Sequence, residues 1–201
     1  MTPEALAARH PRLFHLTAPG AIQGIVRHGL LPTSGLLDLF EVPMAARVPV
    51  EGARRPASVV LVHPVHGRAE ITDNLPLHMR ALAACLDHGL TPVDWLRMLN
   101  ERVFFWADEA GLDRLLNARI NRGRARDVLV LDTLGLVRAL AERVALSTIN
   151  SGSTVRRAAR RGLSTFVPLL EHRSGRILEV TVVGGVTGIG EHVREVRERR
   201  P

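Results

Sequence analysis

His15 and Thr17 are the first residues of this sequence whose types and spacing could do chemistry. They lie two apart in Arg12-Leu13-Phe14-His15-Leu16-Thr17, which reads as a strand. Residues two apart on a strand share a face, so both polar side chains project together while Phe14 and Leu16 turn toward the core. Such a pair can belong to a binding site, or be a structural histidine hydrogen-bonded near a strand end. Glu179 is the second candidate, in Arg176-Ile177-Leu178-Glu179-Val180-Thr181-Val182. A carboxylate inside an apolar strand is costly if it faces the core unpaired. It either points to solvent or is held in a cleft for chemistry, and the mixed face it shares with Ile177 and Thr181 leaves both open. The third is Val103-Phe104-Phe105-Trp106-Ala107-Asp108, which holds three of the chain's five Phe and two Trp. It reads as a core strand whose terminal aromatic could also wall a flat ring.

Other constellations carry less. His63-x-x-His66, with His78 and Cys85-x-x-His88, offers zinc-type ligands. Pro64 and Gly67 suit a simple turn, however, and further ligands would have to come from elsewhere, so no metal is expected. Gly184 to Gly190 follows a strand, as a phosphate loop does, but lacks the GxGxxG spacing and a long following helix. It reads as a tight glycine-rich turn. Neither a G-x-S-x-G motif nor a Walker lysine is present, which leaves hydrolase and P-loop chemistry without support.

The elements that must position these residues follow from pattern and punctuation. A short helix from Pro3 to Ala8 is capped by Thr2. After the His15 strand, Ala21 to His28 has helical spacing and stops at Gly29. Ser34 can cap a short helix through Leu39, and residues 41–57, with three prolines, read as a loop. Val59–Val62 and Ala69–Thr72 suggest strands around a His-Gly turn. Helices follow over Leu77–Asp87 and Pro92–Glu101, the second capped by Thr91 with Asp94 three residues on. Then come the strand Val103–Trp106, a helix from Glu109 to Ile120, the strand Val128–Leu131 and a helix from Thr133 to Glu142. Ser147 to Thr165 is polar and Arg-rich, hence a long loop; Arg176–Val183 alternates as a strand; the charged tail Glu191–Arg200 suits a strand or a helix. Mixed elements without regular βαβ alternation, and without an internal linker, predict one α+β domain over residues 1–201.

Composition sets the frame. The chain's 201 residues suffice for one well-buried core, and 46% hydrophobic with 23% charged residues argues against disorder. No apolar run approaches the roughly 18–20 residues that span a bilayer. Met1 to Phe14 lacks a signal-peptide stretch, and the single Cys85 cannot form an internal disulfide, so the expected location is cytoplasmic, with no membrane partner. The net charge is +7, and all 27 basic residues are Arg. Coding bias explains such an excess; so does a surface that attracts a phosphate-bearing partner. With no Tyr and 3% aromatics, a stacking platform for single-stranded bases is disfavoured.

Phe14-His15-Leu16-Thr17, the amphipathic helix after it and Gly29-Leu30 resemble the opening motif of the ADP-ribosyltransferase superfamily, as found in DarT-type DNA ADP-ribosyltransferases and tRNA 2′-phosphotransferases. Val103–Trp106, the helix through Asn121 and Asp127–Asp132 resemble its second block, and Leu178-Glu179-Val180-Thr181-Val182 resembles the strand that carries the catalytic glutamate. The chain is also similar to an uncharacterised bacterial family through Asp73-Asn74-Leu75-Pro76-Leu77, Leu99–Trp106 and Ile149-Asn150-Ser151-Gly152-Ser153-Thr154.

The first resemblance implies a split mixed or antiparallel sheet with flanking helices, NAD as substrate and no metal. By the same resemblance, His15 and Thr17 hold the adenosine ribose and the nicotinamide end. Glu179 bonds the nicotinamide ribose and helps deprotonate the acceptor, with His15 as its catalytic companion. Because the sequence has no Tyr, Phe105 or Trp106 would have to stack the nicotinamide, and Arg55 is the first choice for the pyrophosphate. The loop carrying Arg156, Arg157, Arg160 and Arg161 would read a phosphate-bearing acceptor such as a nucleic acid, and an antitoxin-type partner belongs to the same picture. A non-catalytic nucleotide- or nucleic-acid-binding module and an RNA 2′-phosphotransferase remain as alternatives.

Overall fold

The computed structural model describes residues 1–119, 121–155 and 158–200. Helix α1 (Pro3–Arg9) begins at Thr2, whose hydroxyl accepts the Ala5 N–H, and strand β1 (Arg12–Thr17) follows. α2 (Ile22–His28), α3 (Thr33–Leu39) and α4 (Met44–Glu51) lead to a hairpin of β2 (Val59–His63) and β3 (Gly67–Ile71). α5 (Met79–Cys85) and α6 (Pro92–Asn100) precede β4 (Arg102–Trp106), α7 (Glu109–Asn117), β5 (Arg126–Asp132) and α8 (Thr133–Leu140). The chain closes with β6 (Val144–Ser147), the two-residue β7 (Val167–Pro168), β8 (Glu179–Val183) and β9 (Val193–Arg199).

Seven strands form one sheet in the order β7-β6-β8-β4-β1-β5-β9, and β2 and β3 form a second, small one. All pairs between the named strands are antiparallel, so the architecture is α+β with an antiparallel rather than a mixed sheet. The charged tail is the edge strand β9, whose alternating Arg and Glu suit an exposed edge. Among the described residues no helix is long and apolar enough to cross a membrane.

Both faces of the large sheet are covered. On one face Leu13, Val103, Phe105, Leu129, Leu131, Val180 and Val182 pack against Leu6 of α1 and Leu136 and Val137 of α8. The other face is covered in two separate patches. Trp95, Leu96 and Leu82 from α5 and α6 cover the β6 side, and Leu112 and Leu116 of α7 cover Phe14, Val128 and Val130. A third cluster, Leu37, Phe40, Val50, Leu61 and Ile71, ties α3 and α4 to the hairpin. The space between these helical patches, with the hairpin lobe beside it, is the cleft.

Most elements agree with local pattern, and two differ for identifiable reasons. α4 forms within a stretch that its prolines mark as a loop, even with Pro49 inside the helix. Its last carbonyls gain tertiary donors: Arg55 Nη1 donates to Val50 O and Asn100 Nδ2 to Glu51 O. β6 (Val144–Ser147) forms in the short apolar stretch between the expected helix and the expected loop, taking its place from pairing with β8 and β7. Gly29 ends α2 at φ +88°, where a Cβ would lie 2.7 Å from Val186 O. Leu30 and Val186 exchange backbone hydrogen bonds there, which fixes the glycine-rich turn against the end of α2.

Candidate functional site

Glu179 is the first residue of β8 and the cross-strand partner of Trp106 on β4 and Ser147 on β6. Directly opposed residues share a face, so Glu179 and Trp106 stand side by side on the face that carries the cleft. The carboxylate is 5% exposed, which rules out the solvent-facing reading. It accepts the Ser151 N–H at 3.2 Å to each oxygen. The Ser151 carbonyl accepts in turn from Arg161 Nη1 at 3.0 Å and Trp95 Nε1 at 3.3 Å. Burial pushes the Glu179 carboxyl up to about 7, opposed by Ser151 and by the nearby Arg161. A carboxyl with that affinity for its proton can accept or release one near neutral pH.

His15 reaches the cleft by a different route. β1 and β4 pair at a single position, Phe14 with Trp106, and part beyond it. His15 Nδ1–H donates to Phe104 O at 2.9 Å across the opening, where a ladder bond would otherwise lie. That bond leaves Nε2 as the acceptor nitrogen. Burial holds the His15 pKa below the ordinary value, against the pull of the Phe104 carbonyl, so the ring is neutral at pH 7. By register His15 belongs to the Phe105 face and Glu179 to the Trp106 face, yet both line one cavity of about 1320 Å³, together with Thr17. The split in the sheet is what lets residues from opposite faces meet one space.

The aromatic wall is Trp106, not Phe105. Phe105 is 0% exposed within the opposite core and touches the site only through the edge of its ring against His15, with centroids 5.8 Å apart. Alternation along β4 sends Phe104 and Trp106 to the cleft, and both line it. The indole lies over Gly111 of α7, where a Cβ would come within 3.1 Å of the ring.

Arg55 lines the cleft but is committed to the protein: Nε donates to Thr72 O, and Nη1 to Val50 O and Asn100 Oδ1. It ties α4 to Thr72, just past β3, and to Asn100 at the end of α6, so three of its contacts are already made within the protein. The four arginines of the loop are not alike. Arg161 is 2% exposed, because its backbone pairs with Cys85 and Asp87, and its guanidinium bonds Ser151 O and Ala159 O. It supports Glu179 from below and presents nothing to a nucleic acid. Arg160 is exposed and pairs with Asp87 at 3.2 Å. Arg156 and Arg157 lie outside the described residues.

Two further features escaped sequence reasoning. Ser151 carries the Glu179 contact; its only signal was membership in Ile149-Asn150-Ser151-Gly152-Ser153-Thr154. Arg126, at the start of β5, is 8% exposed and lines the cleft. The histidines of the suspected metal set cluster differently: His66 stacks on His63 and packs edge-on against His28, with centroids 4.5 and 5.0 Å apart. Among the described residues no group of three or more His, Cys, Asp or Glu is arranged to hold a metal.

No curated protein matches the chain. A family model does, described as a family of unknown function (DUF7002), over residues 11–193. That span runs from just before β1 into the start of β9 and takes in His15, Trp106, Arg126, Ser151 and Glu179. The chain therefore belongs to the DUF7002 family.

Proposed function

We propose that this chain is an NAD-dependent mono-ADP-ribosyltransferase whose cleft binds the dinucleotide between the two halves of its sheet, on a fold of the ADP-ribosyltransferase type. The observation that carries the reading is Glu179: a carboxylate buried in the wall of a large cleft, beside an indole, held by a backbone N–H. A buried carboxylate that forms no ion pair among the described residues serves stability poorly, which favours a chemical role.

In this reading the nicotinamide–ribose C–N bond breaks and its electron pair leaves with neutral nicotinamide. The ionised Glu179 stabilises the resulting oxocarbenium-like ribose and holds its 2′-hydroxyl, as carboxylates do in glycoside hydrolysis. The acceptor nucleophile then bonds to the anomeric carbon, and its proton passes to Glu179. Trp106 walls the nicotinamide, and His15 Nε2 and the Thr17 hydroxyl bond ribose hydroxyls. The acceptor, a nucleic acid in this reading, is reached from the cleft mouth.

A second reading, a nucleotide-binding module without catalysis, is favoured by one observation: the cleft wall holds seven arginines against the carboxylates Glu70, Asp73 and Glu179. One experiment separates the two. The protein and Glu179→Gln are incubated with NAD labelled in its adenylate half and with DNA, RNA and protein acceptors. Transfer by the parent that falls at least 100-fold in the variant is the expected result. NAD binding without transfer favours the second reading, and the absence of both overturns the first.

A further inference from the structure

Of the two buried arginines among the described residues that line the cleft, Arg55 is tied into the protein and Arg126 is not. Arg55 donates to two carbonyls and an amide oxygen, and Arg102 donates to Met98 O and lies over the Phe166 ring at 4.6 Å. Arg126, 8% exposed, has one contact, Nη1 to the carbonyl of its own neighbour Ala125 at 3.3 Å. The carboxylates that adjoin Arg126 in sequence or share the cleft wall with it, Glu179 aside, are already taken. Asp127 accepts from Arg200 and the Gly20 N–H, Asp73 pairs with Arg124 at 2.6 Å, and Glu70 lies 3.6 Å from Arg68. Among the described residues Arg126 forms no ion pair. A guanidinium has five N–H donors; the unpaired ones of Arg126 are not sealed in the core but left to the cleft it lines. Its neighbours in the wall, Arg114, Arg119 and Asn121, add positive charge and a donor-bearing amide but no acid.

We infer that Arg126 is the anion-holding residue of the cleft, and that its ligand is the phosphate of a nucleotide lying along the wall between β5 and β8. A planar guanidinium matches two oxygens of one phosphate at once, and within a low-dielectric wall that contact is strong. This deepens the NAD reading by placing the diphosphate on Arg126 in the stead of Arg55, and it rests on a nucleotide occupying the cleft, not on transfer chemistry.

The test uses Arg126→Met, which keeps the aliphatic packing, and Arg126→Lys, which keeps the charge but not the fork. Thermal melts are recorded with and without ADP, and ADP and adenosine affinities are measured by calorimetry. An arginine kept for its ligand leaves the ligand-free Met variant as stable as the parent or more so. It also leaves adenosine binding unchanged, weakens ADP binding tenfold or more, and gives the Lys variant an intermediate affinity. A Met variant that melts lower without ligand and binds ADP normally makes Arg126 structural and overturns the inference. If the parent binds neither ADP nor NAD, this inference and the NAD reading fall together. ADP binding that depends on Arg126, with no label transferred from NAD, sinks only the transfer chemistry.

Discussion

The Ser151 N–H lies 3.2 Å from each carboxylate oxygen of Glu179, and the Ser151 carbonyl lies 3.0 Å from Arg161 Nη1. The backbone of one residue, through two successive peptide groups, thus couples a buried cation to a buried acid. Burial dominates and raises the Glu179 pKa to about 7, while Ser151 and Arg161 limit the rise.

Stability should therefore depend on Glu179 above neutral pH. Its pKa moves from 4.5 in the unfolded chain to about 7 in the folded one. The folded state binds the extra proton between those values, so the contribution is intact below 4.5 and lost as pH rises through 7. Glu179→Gln removes that loss. Chemical denaturation should show the variant matching the parent near pH 4 and exceeding it by up to ~3 kcal/mol at pH 8.5. Equal stability at both pH values would show that the carboxyl is not buried as described.

Transfer should rise with pH in the same window, because only the ionised carboxylate accepts the acceptor's proton. Initial rates between pH 5.5 and 8.5 should follow a single ionisation with a midpoint near the folded value of about 7. A profile flat across that range excludes Glu179 as the base.

Arg161 is the positioning group of this arrangement. Arg161→Met removes the donor to Ser151 O and the cation that draws the Glu179 pKa down. The Glu179 titration, followed by NMR of labelled glutamate, should move to higher pH. Stability should drop by about 1–3 kcal/mol because buried carbonyls lose their donor. An unchanged titration midpoint would separate Arg161 from the site.

His15 bridges the split through its bond to Phe104 O. His15→Ala leaves that carbonyl without the imidazole donor and should cost about 1–3 kcal/mol in denaturant unfolding. His15→Asn keeps an N–H near the Nδ1 position and should recover much of the loss. If Ala and Asn are equally destabilised, the hydrogen bond is not what holds the strands at the opening.

Acid should loosen the hairpin tip. Burial, Arg27 and His66 hold the His28 pKa below the unfolded value of 6.5. The unfolded chain then binds more protons below 6.5, so stability falls as pH falls through that window, opposite in sign to Glu179. Measured in the Glu179→Gln background, the decline between pH 6.5 and 5 should be shallower in His28→Gln. Hydrogen exchange at His63–Gly67 should report the same change.

Local chemistry was legible in the sequence wherever neighbours in the chain decide the outcome. Thr91 and Asp94 form a reciprocal capping box, Asp108 and Asp132 cap α7 and α8, and weak alternation marks β1 while continuous apolar runs mark β4 and β5. Those preferences act over one turn or one strand, so residue types suffice. The chain order of His15, Trp106 and Glu179 was equally readable, as was the α+β class. Tertiary structure alone decided that Glu179 is dry: its pattern with Ile177 and Thr181 is mixed, and the contact that holds it comes from Ser151, itself bonded by Trp95 and Arg161. It also turned Arg161 inward, since the backbone pairing with Cys85 and Asp87 is long-range and leaves no local trace. The same holds for Trp106 in place of Phe105 and for the isolation of Arg126. Register between strands, not the type of any residue, chooses which aromatic meets the cleft and which cation meets no acid.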